Sequence, residues 1–142
     1  MRKAHQLSKE KKEAISSSIK EVLQKREEVL FVYLFGSFIE GGDFRDIDVG
    51  VYLMPESFEK LESSLDYTLD LAKEMGDITK EGIPFEARIL NEAPLDLLNR
   101  VLSSGKLILC RDEEFLADLI EETSLRYMQY RPYAEQYIKE RR

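Results

Sequence analysis

Seven consecutive apolar residues, Val29-Leu30-Phe31-Val32-Tyr33-Leu34-Phe35, are the strongest constraint on how this chain folds. The run is short, β-branched and aromatic, which reads as a strand buried on both faces rather than as a helix. A sheet carrying such a strand needs covering elements on each side, and the flanking sequence supplies them. Ser8 can cap a helix running to about Glu28, in which Ala14, Ile15, Ile19, Val22 and Leu23 recur at helical spacing. After the run, Gly36-Ser37 ends the strand and Gly41-Gly42-Asp43 marks a turn. Asp46 to Met54 reads as a second strand, with Ile47, Val49, Val51 and Leu53 alternating against Asp48, Gly50 and Tyr52, and Pro55 stopping it.

Ser57 is placed to cap a second helix with Leu61, Leu65, Leu69 and Leu71-Ala72 inward, and Gly76 to Gly82 reads as a polar connector. Phe85 to Leu90 predicts a third strand. Pro94 opens a helix carrying Leu97, Leu98, Val101 and Leu102, which Gly105 ends, and Lys106 to Leu109 suits a short fourth strand. A last helix begins near Asp112 and runs toward Ile138, where Pro132 is expected to kink or divide it. The fold class is therefore α/β or α+β: a small mixed sheet of about four strands covered by helices. No repeat or linker interrupts it, and 142 residues suit one domain.

Charge narrows the partners. The net charge of −7 disfavours general binding to a phosphate backbone. Residues 112–122 hold Asp112, Glu113, Glu114, Asp118, Glu121 and Glu122 without a basic residue, either a solvated helix face or a surface for a basic protein. No apolar run reaches the length of a membrane span, and no apolar signal core follows the basic N-terminus, so a cytoplasmic protein is expected. Cys110 has no partner for an internal disulfide and no histidine to activate it. The one histidine, His5, falls near an expected loose terminus, which leaves histidine chemistry little room.

The chemistry is concentrated in Leu34-Phe35-Gly36-Ser37-Phe38-Ile39-Glu40-Gly41-Gly42-Asp43-Phe44-Arg45-Asp46-Ile47-Asp48-Val49. Glycine permits close backbone approach to a ligand. A short helix starting after Gly36 would offer free N–H groups to a phosphate, and Ser37 adds a hydroxyl. Asp46 and Asp48, two apart on a strand, project on one face. Paired carboxylates repel unless a cation lies between them, and their oxygens suit Mg²⁺ or Mn²⁺. A triphosphate beside two such ions is set up for in-line displacement at phosphorus.

This stretch resembles the DNA polymerase β-type nucleotidyltransferases, and within them the minimal nucleotidyltransferase (MNT) family, which joins a Gly-Ser to an Asp-x-Asp and a third acid on a later strand. The resemblance covers most of residues 29–110. It implies a core at 29–110 between an N-terminal helix (1–28) and a C-terminal helical segment (111–142). Phe85-Glu86-Ala87-Arg88-Ile89-Leu90-Asn91, followed by Pro94, matches the strand that carries the third acid. The implied roles are metal binding by Asp46, Asp48 and Glu86, with Glu86 alternatively the base on an attacking hydroxyl, and phosphate binding by Gly36 and Ser37. Arg45, directly before the acid pair, is a candidate triphosphate contact, and Arg88 shares a strand face with Glu86 and can pair with it or with a phosphate. The chain departs from many relatives in a shorter Ser37–Asp46 loop and in a Glu as third acid.

The resemblance also implies two Mg²⁺ ions as cofactors, ATP as substrate and transfer of AMP. The compact chain with a tyrosine-bearing last helix further resembles the antitoxin of MNT–HEPN pairs, which implies a HEPN-type toxin partner modified on a tyrosine. A non-catalytic binding module that neutralises a partner, and a small-molecule nucleotidyltransferase, remain open, as does homo-oligomerisation. Tyr127, Tyr130, Tyr133 and Tyr137 recur at helical spacing. They are expected to pack the last helix on the body, with a partner surface as the alternative.

Overall fold

The computed structural model describes residues 4–140, without the side chains of 134, 135 and 137–140. Its elements are α1 (Lys9–Gln24), β1 (Val29–Phe35), α2 (Ser37–Glu40), β2 (Ile47–Leu53), α3 (Pro55–Glu59), α4 (Ser64–Thr79), β3 (Phe85–Ile89), a 3₁₀ turn (Leu90–Glu92), α5 (Leu95–Ser104), β4 (Lys106–Cys110) and α6 (Glu113–Glu140). The four strands form one mixed sheet in the order β3-β2-β1-β4. β1 is antiparallel to both β2 and β4, whereas β2 and β3 run parallel.

The apolar run is β1, and every residue in it is buried. Its side chains feed two separate cores. Val29, Val32 and Leu34 join Ile15, Ile19, Val22 and Leu23 of α1 and Leu71 and Met75 of α4 on one face. Phe31, Tyr33 and Phe35 join Val101 of α5 and Leu116 of α6 on the other. A strand covered on both faces has no polar side, so the unbroken hydrophobicity follows. On β2 only one face is fully covered. Ile47, Val49, Val51 and Leu53 face α1 and α4, and Asp48, Gly50 and Tyr52 face the other way. Gly50 is glycine because Leu90 packs against its backbone; an added Cβ would lie 2.9 Å from a Leu90 methyl.

Several local expectations change. Ser8 caps α1 by accepting from the Lys11 N–H, but the helix ends at Gln24 rather than Glu28. The freed residues make a turn in which Arg26 reaches Glu28, Asp70 and Glu74. Ser57 lies inside the short α3, and Ser63 caps the longer helix. Leu71 is buried as expected, together with Met75, whereas Leu65 and Leu69 are exposed. Gly76 is helical, and α4 closes on the left-handed Lys80 (φ 55°). α6 passes through Pro132 undivided. Tyr130 and Tyr133 are exposed rather than packed, Tyr127 is half-buried, and the Tyr137 side chain lies outside the described residues. The six acids of 112–122 are all exposed. Among the described residues, no helix is long and apolar enough to cross a membrane.

Candidate active site

β1 delivers the chain to Gly36, which turns with φ +77°, a conformation that side chains resist. A one-turn helix, α2, starts at once: the N–H groups of Ile39 and Glu40 both donate to the Gly36 carbonyl, at 3.1 and 3.0 Å. The exposed Ser37 opens this turn. Phe38 anchors it from below. Its ring is buried, meets Phe44 edge-on at 5.1 Å, and lies with Phe44 beneath the Lys12 ammonium, which also donates to the Phe38 carbonyl. The loop beyond is held by the N-terminal segment. His5 and Phe44 exchange backbone hydrogen bonds, and Gln6 donates to Asp43. His5 itself is not loose: residues 5 and 6 tie down the glycine loop, and residues 1–3 lie outside the described residues.

Asp46 immediately precedes β2, so the acid pair straddles the strand start instead of lying wholly within it. One oxygen of Asp46 is shielded from solvent. Asp48 lies opposite Phe35 of β1 and on the same rung as Glu86 of β3. Its carboxyl is pushed up to about 6, first by burial, then by the nearby charges of Glu86 and Asp46 and by a hydrogen bond with Glu86, with Arg88 opposing. Glu86 in turn accepts from the Arg88 guanidinium at 3.2 Å. Of the two expected partners of Arg88, the structure thus provides the carboxylate.

A cleft of about 450 Å³ gathers most of these groups: Ala4, Ser37, Asp43, Phe44, Arg45, Asp46 and Asp48 line it. Gly36 stands behind it, fully buried, against the Asp48 carboxylate. Five of the six expected site residues therefore meet at one place. Glu86 is outside the cleft wall and joins through Asp48. Among the described residues, no three acids, histidines or cysteines form a ready metal-ligating group. The residues do fit a hard divalent cation in a looser sense. Asp48 crowded by two other acids carries raised proton affinity, and a cation beside it relieves the same repulsion. Mg²⁺ is commonly held by one or two carboxylates together with substrate phosphates.

Reasoning from sequence missed Lys12, His5 and Asn91. Lys12 reaches the loop from 26 residues away and His5 from 39, with no local pattern to reveal either. In the sequence Asn91 stands only as the last residue of the third-strand motif. Its side-chain amide accepts from the Leu53 N–H at 2.8 Å and donates to the Leu53 carbonyl at 2.9 Å, extending the β2–β3 pairing by one rung.

Comparison with known proteins agrees with this architecture. The fold is similar to a chain in the crystal structure of the toxin–antitoxin MntA–HepT (TM-score 0.68, 17% identity, 90% of this chain and 97% of that one). It is similar to a chain of a toxin–antitoxin crystal structure with AMP-PNP (TM-score 0.71, 19% identity, 88% and 96% covered). A third likeness is to a chain from the tri-AMPylated Shewanella oneidensis HEPN toxin in complex with MNT antitoxin (TM-score 0.67, 18% identity, 91% and 97% covered). The curated proteins contain no match to the sequence. The family model "Polymerase beta, Nucleotidyltransferase" matches residues 17–114, the span from α1 through the sheet to the start of α6. With the Gly-Ser turn and paired acids inside that span, the chain belongs to the polymerase beta nucleotidyltransferase family.

Proposed function

We propose that this protein transfers AMP from ATP to a hydroxyl, that of a tyrosine on a HEPN-type toxin, and so acts as the antitoxin of a toxin–antitoxin pair. The observation that carries the chemistry is the placement of Asp48 beside Glu86 and within range of Asp46, in a cleft that Ser37 also lines and that Gly36 backs. Family membership supports nucleotidyl transfer in general. The acceptor rests on the likeness to solved toxin–antitoxin structures, one of them with an AMPylated HEPN toxin.

In this reading Asp46 and Asp48 hold two Mg²⁺ ions, which when bound neutralise the charge of the triphosphate. Gly36 lets the backbone approach the β- and γ-phosphates, and Ser37 donates its hydroxyl to them. Arg45, exposed at the cleft wall, adds a positive charge on the same side. Glu86 takes the proton of the acceptor hydroxyl as its oxygen bonds to the α-phosphorus, and pyrophosphate leaves.

The test combines the protein, ATP labelled in the adenine, Mg²⁺ and the product of the neighbouring gene. The expected result is label on that partner, absent with Asp48→Ala. Neutralisation of the partner that survives Asp46→Ala combined with Asp48→Ala would sink the enzymatic reading in favour of a binding module. Turnover of a hydroxylated small molecule, with no protein labelled, would replace the acceptor.

A further inference from the structure

The loop from Ser37 to Asp46 joins two sides of the cleft, and both of those residues line it. Its crest is open: a Cβ added at Gly41 or Gly42 would meet nothing within 4 Å. The separation of Ser37 and Asp46 therefore depends on how the ends of the loop are fixed. Each end carries a buried phenylalanine. Phe38 directly follows Ser37, and Phe44 lies two residues before Asp46. The rings meet edge-on, and the Lys12 ammonium stands over both, 5.4 Å from the Phe38 centroid and 5.3 Å from that of Phe44. Both distances allow a cation–π attraction. The same ammonium donates to the Phe38 carbonyl at 3.1 Å. A one-turn helix leaves its last carbonyls without partners inside the helix, and a lysine there satisfies one of them and complements the negative end of the turn.

We propose that Lys12 is a positioning residue that sets the spacing between Ser37 and Asp46, and with it the fit of the cleft to a metal-bound triphosphate that must touch both. This rests on the proposed assignment of Ser37 to phosphate and Asp46 to metal. Three features carry it. Lys12 is half-buried, whereas its neighbours Lys9 and Lys11 are exposed, so it is not one more solvated charge on α1. His5 and Gln6 grip the second end of the loop, through Phe44 and Asp43, and Arg100 meets Glu40 near the first, but Lys12 meets both ends with one group. Its own anchor is rigid, because Ile15, Ile19, Val22 and Leu23 fix α1 in the core beneath the sheet.

The experiment compares two binding measurements on wild type, Lys12→Met, Lys12→Arg and Phe44→Leu. One is ATP binding with Mg²⁺, by calorimetry. The other is Mn²⁺ binding without nucleotide, by electron paramagnetic resonance, which needs the acids but not Ser37. Methionine keeps the apolar stem of the lysine, so Lys12→Met is expected to fold, and thermal melts set an assay temperature at which every variant is folded. Lys12→Met is expected to weaken ATP binding about tenfold. Its Mn²⁺ affinity is expected to stay within about twofold of wild type. Lys12→Arg should recover part of the loss, since it keeps the charge with a different donor geometry. Phe44→Leu, which removes one ring and leaves the lysine, should show the same split between ATP and Mn²⁺, and adding Lys12→Met to it should cost less than in the wild type. Amide exchange in the nucleotide-free protein should quicken from Phe38 to Asp46 in Lys12→Met more than along β1. Folded Lys12→Met that binds ATP within about twofold of wild type, or that loses ATP and Mn²⁺ affinity equally, would overturn the proposal and leave the transferase reading intact. So would Lys12→Arg no better than Lys12→Met. A wild-type protein that binds neither ATP nor Mn²⁺ would overturn both.

Discussion

The carboxylate of Asp48 occupies the space into which a side chain at Gly36 would project. Gly36 directly follows β1 and Asp48 lies near the start of β2, and the absent Cβ lets one pack directly on the other. The Gly36-Ser37 turn and the acid pair are therefore a single packed unit.

Replacing Gly36 by alanine tests that unit. The backbone at φ +77° strains any side chain, by about 1–3 kcal/mol. The new methyl also displaces Asp48. The expected outcome is a lower melting temperature together with ATP binding lost even at temperatures where the variant is fully folded. Calorimetry and equilibrium binding on one preparation separate the two effects. Normal ATP affinity in the folded variant would show that the close approach has no functional weight.

Asp48 predicts a pH dependence of stability in the metal-free protein. Its carboxyl rises from the ordinary 3.8 to about 6 on folding. Between those values the folded state binds the extra proton, so stability falls as pH rises from about 4 to about 6 and is flat above. Asp48→Asn removes this loss. Because the group is only about half buried, the gain at pH 7 is about 1 kcal/mol rather than the full value of the shift. Urea titrations of both proteins in EDTA at pH 4, 5, 6 and 7 measure it. A difference between them that does not change with pH would refute the assignment.

Asn91 predicts a link between register and site. Its amide closes both backbone groups of Leu53, which is itself buried. Asn91→Ala leaves that donor and acceptor unpaired, at a cost of about 1–3 kcal/mol. Since this pairing holds the end of β3 on β2, amide exchange is expected to quicken along Phe85–Ile89 more than in β1. Uniform quickening across the sheet would place the effect in global stability alone.

The strongest local patterns carried over to the structure, and weaker or competing ones did not. The Val29–Phe35 strand, the Ser8 cap and the β2 alternation each rest on a pattern within one segment. The start of α4 was misplaced because Ser57 and Ser63 both suit an N-cap, and only packing of Leu71 and Met75 selects the second. Leu65 and Leu69 form one i,i+4 stripe of α4 and Leu71 and Met75 another, and packing against the core buries only the second.

By itself the sequence determined the two-sided burial of β1, the Gly36-Ser37 turn and the acid pair, because these depend on neighbours within a few residues. The tertiary structure decided the rest. It put β3 parallel on β2 so that Glu86 shares a rung with Asp48, paired Glu86 with Arg88, and brought His5 and Lys12 to the glycine loop. Strand order and register come from burying two cores at once across a sheet. That balance is struck between residues far apart in the chain, so no local spacing reveals it.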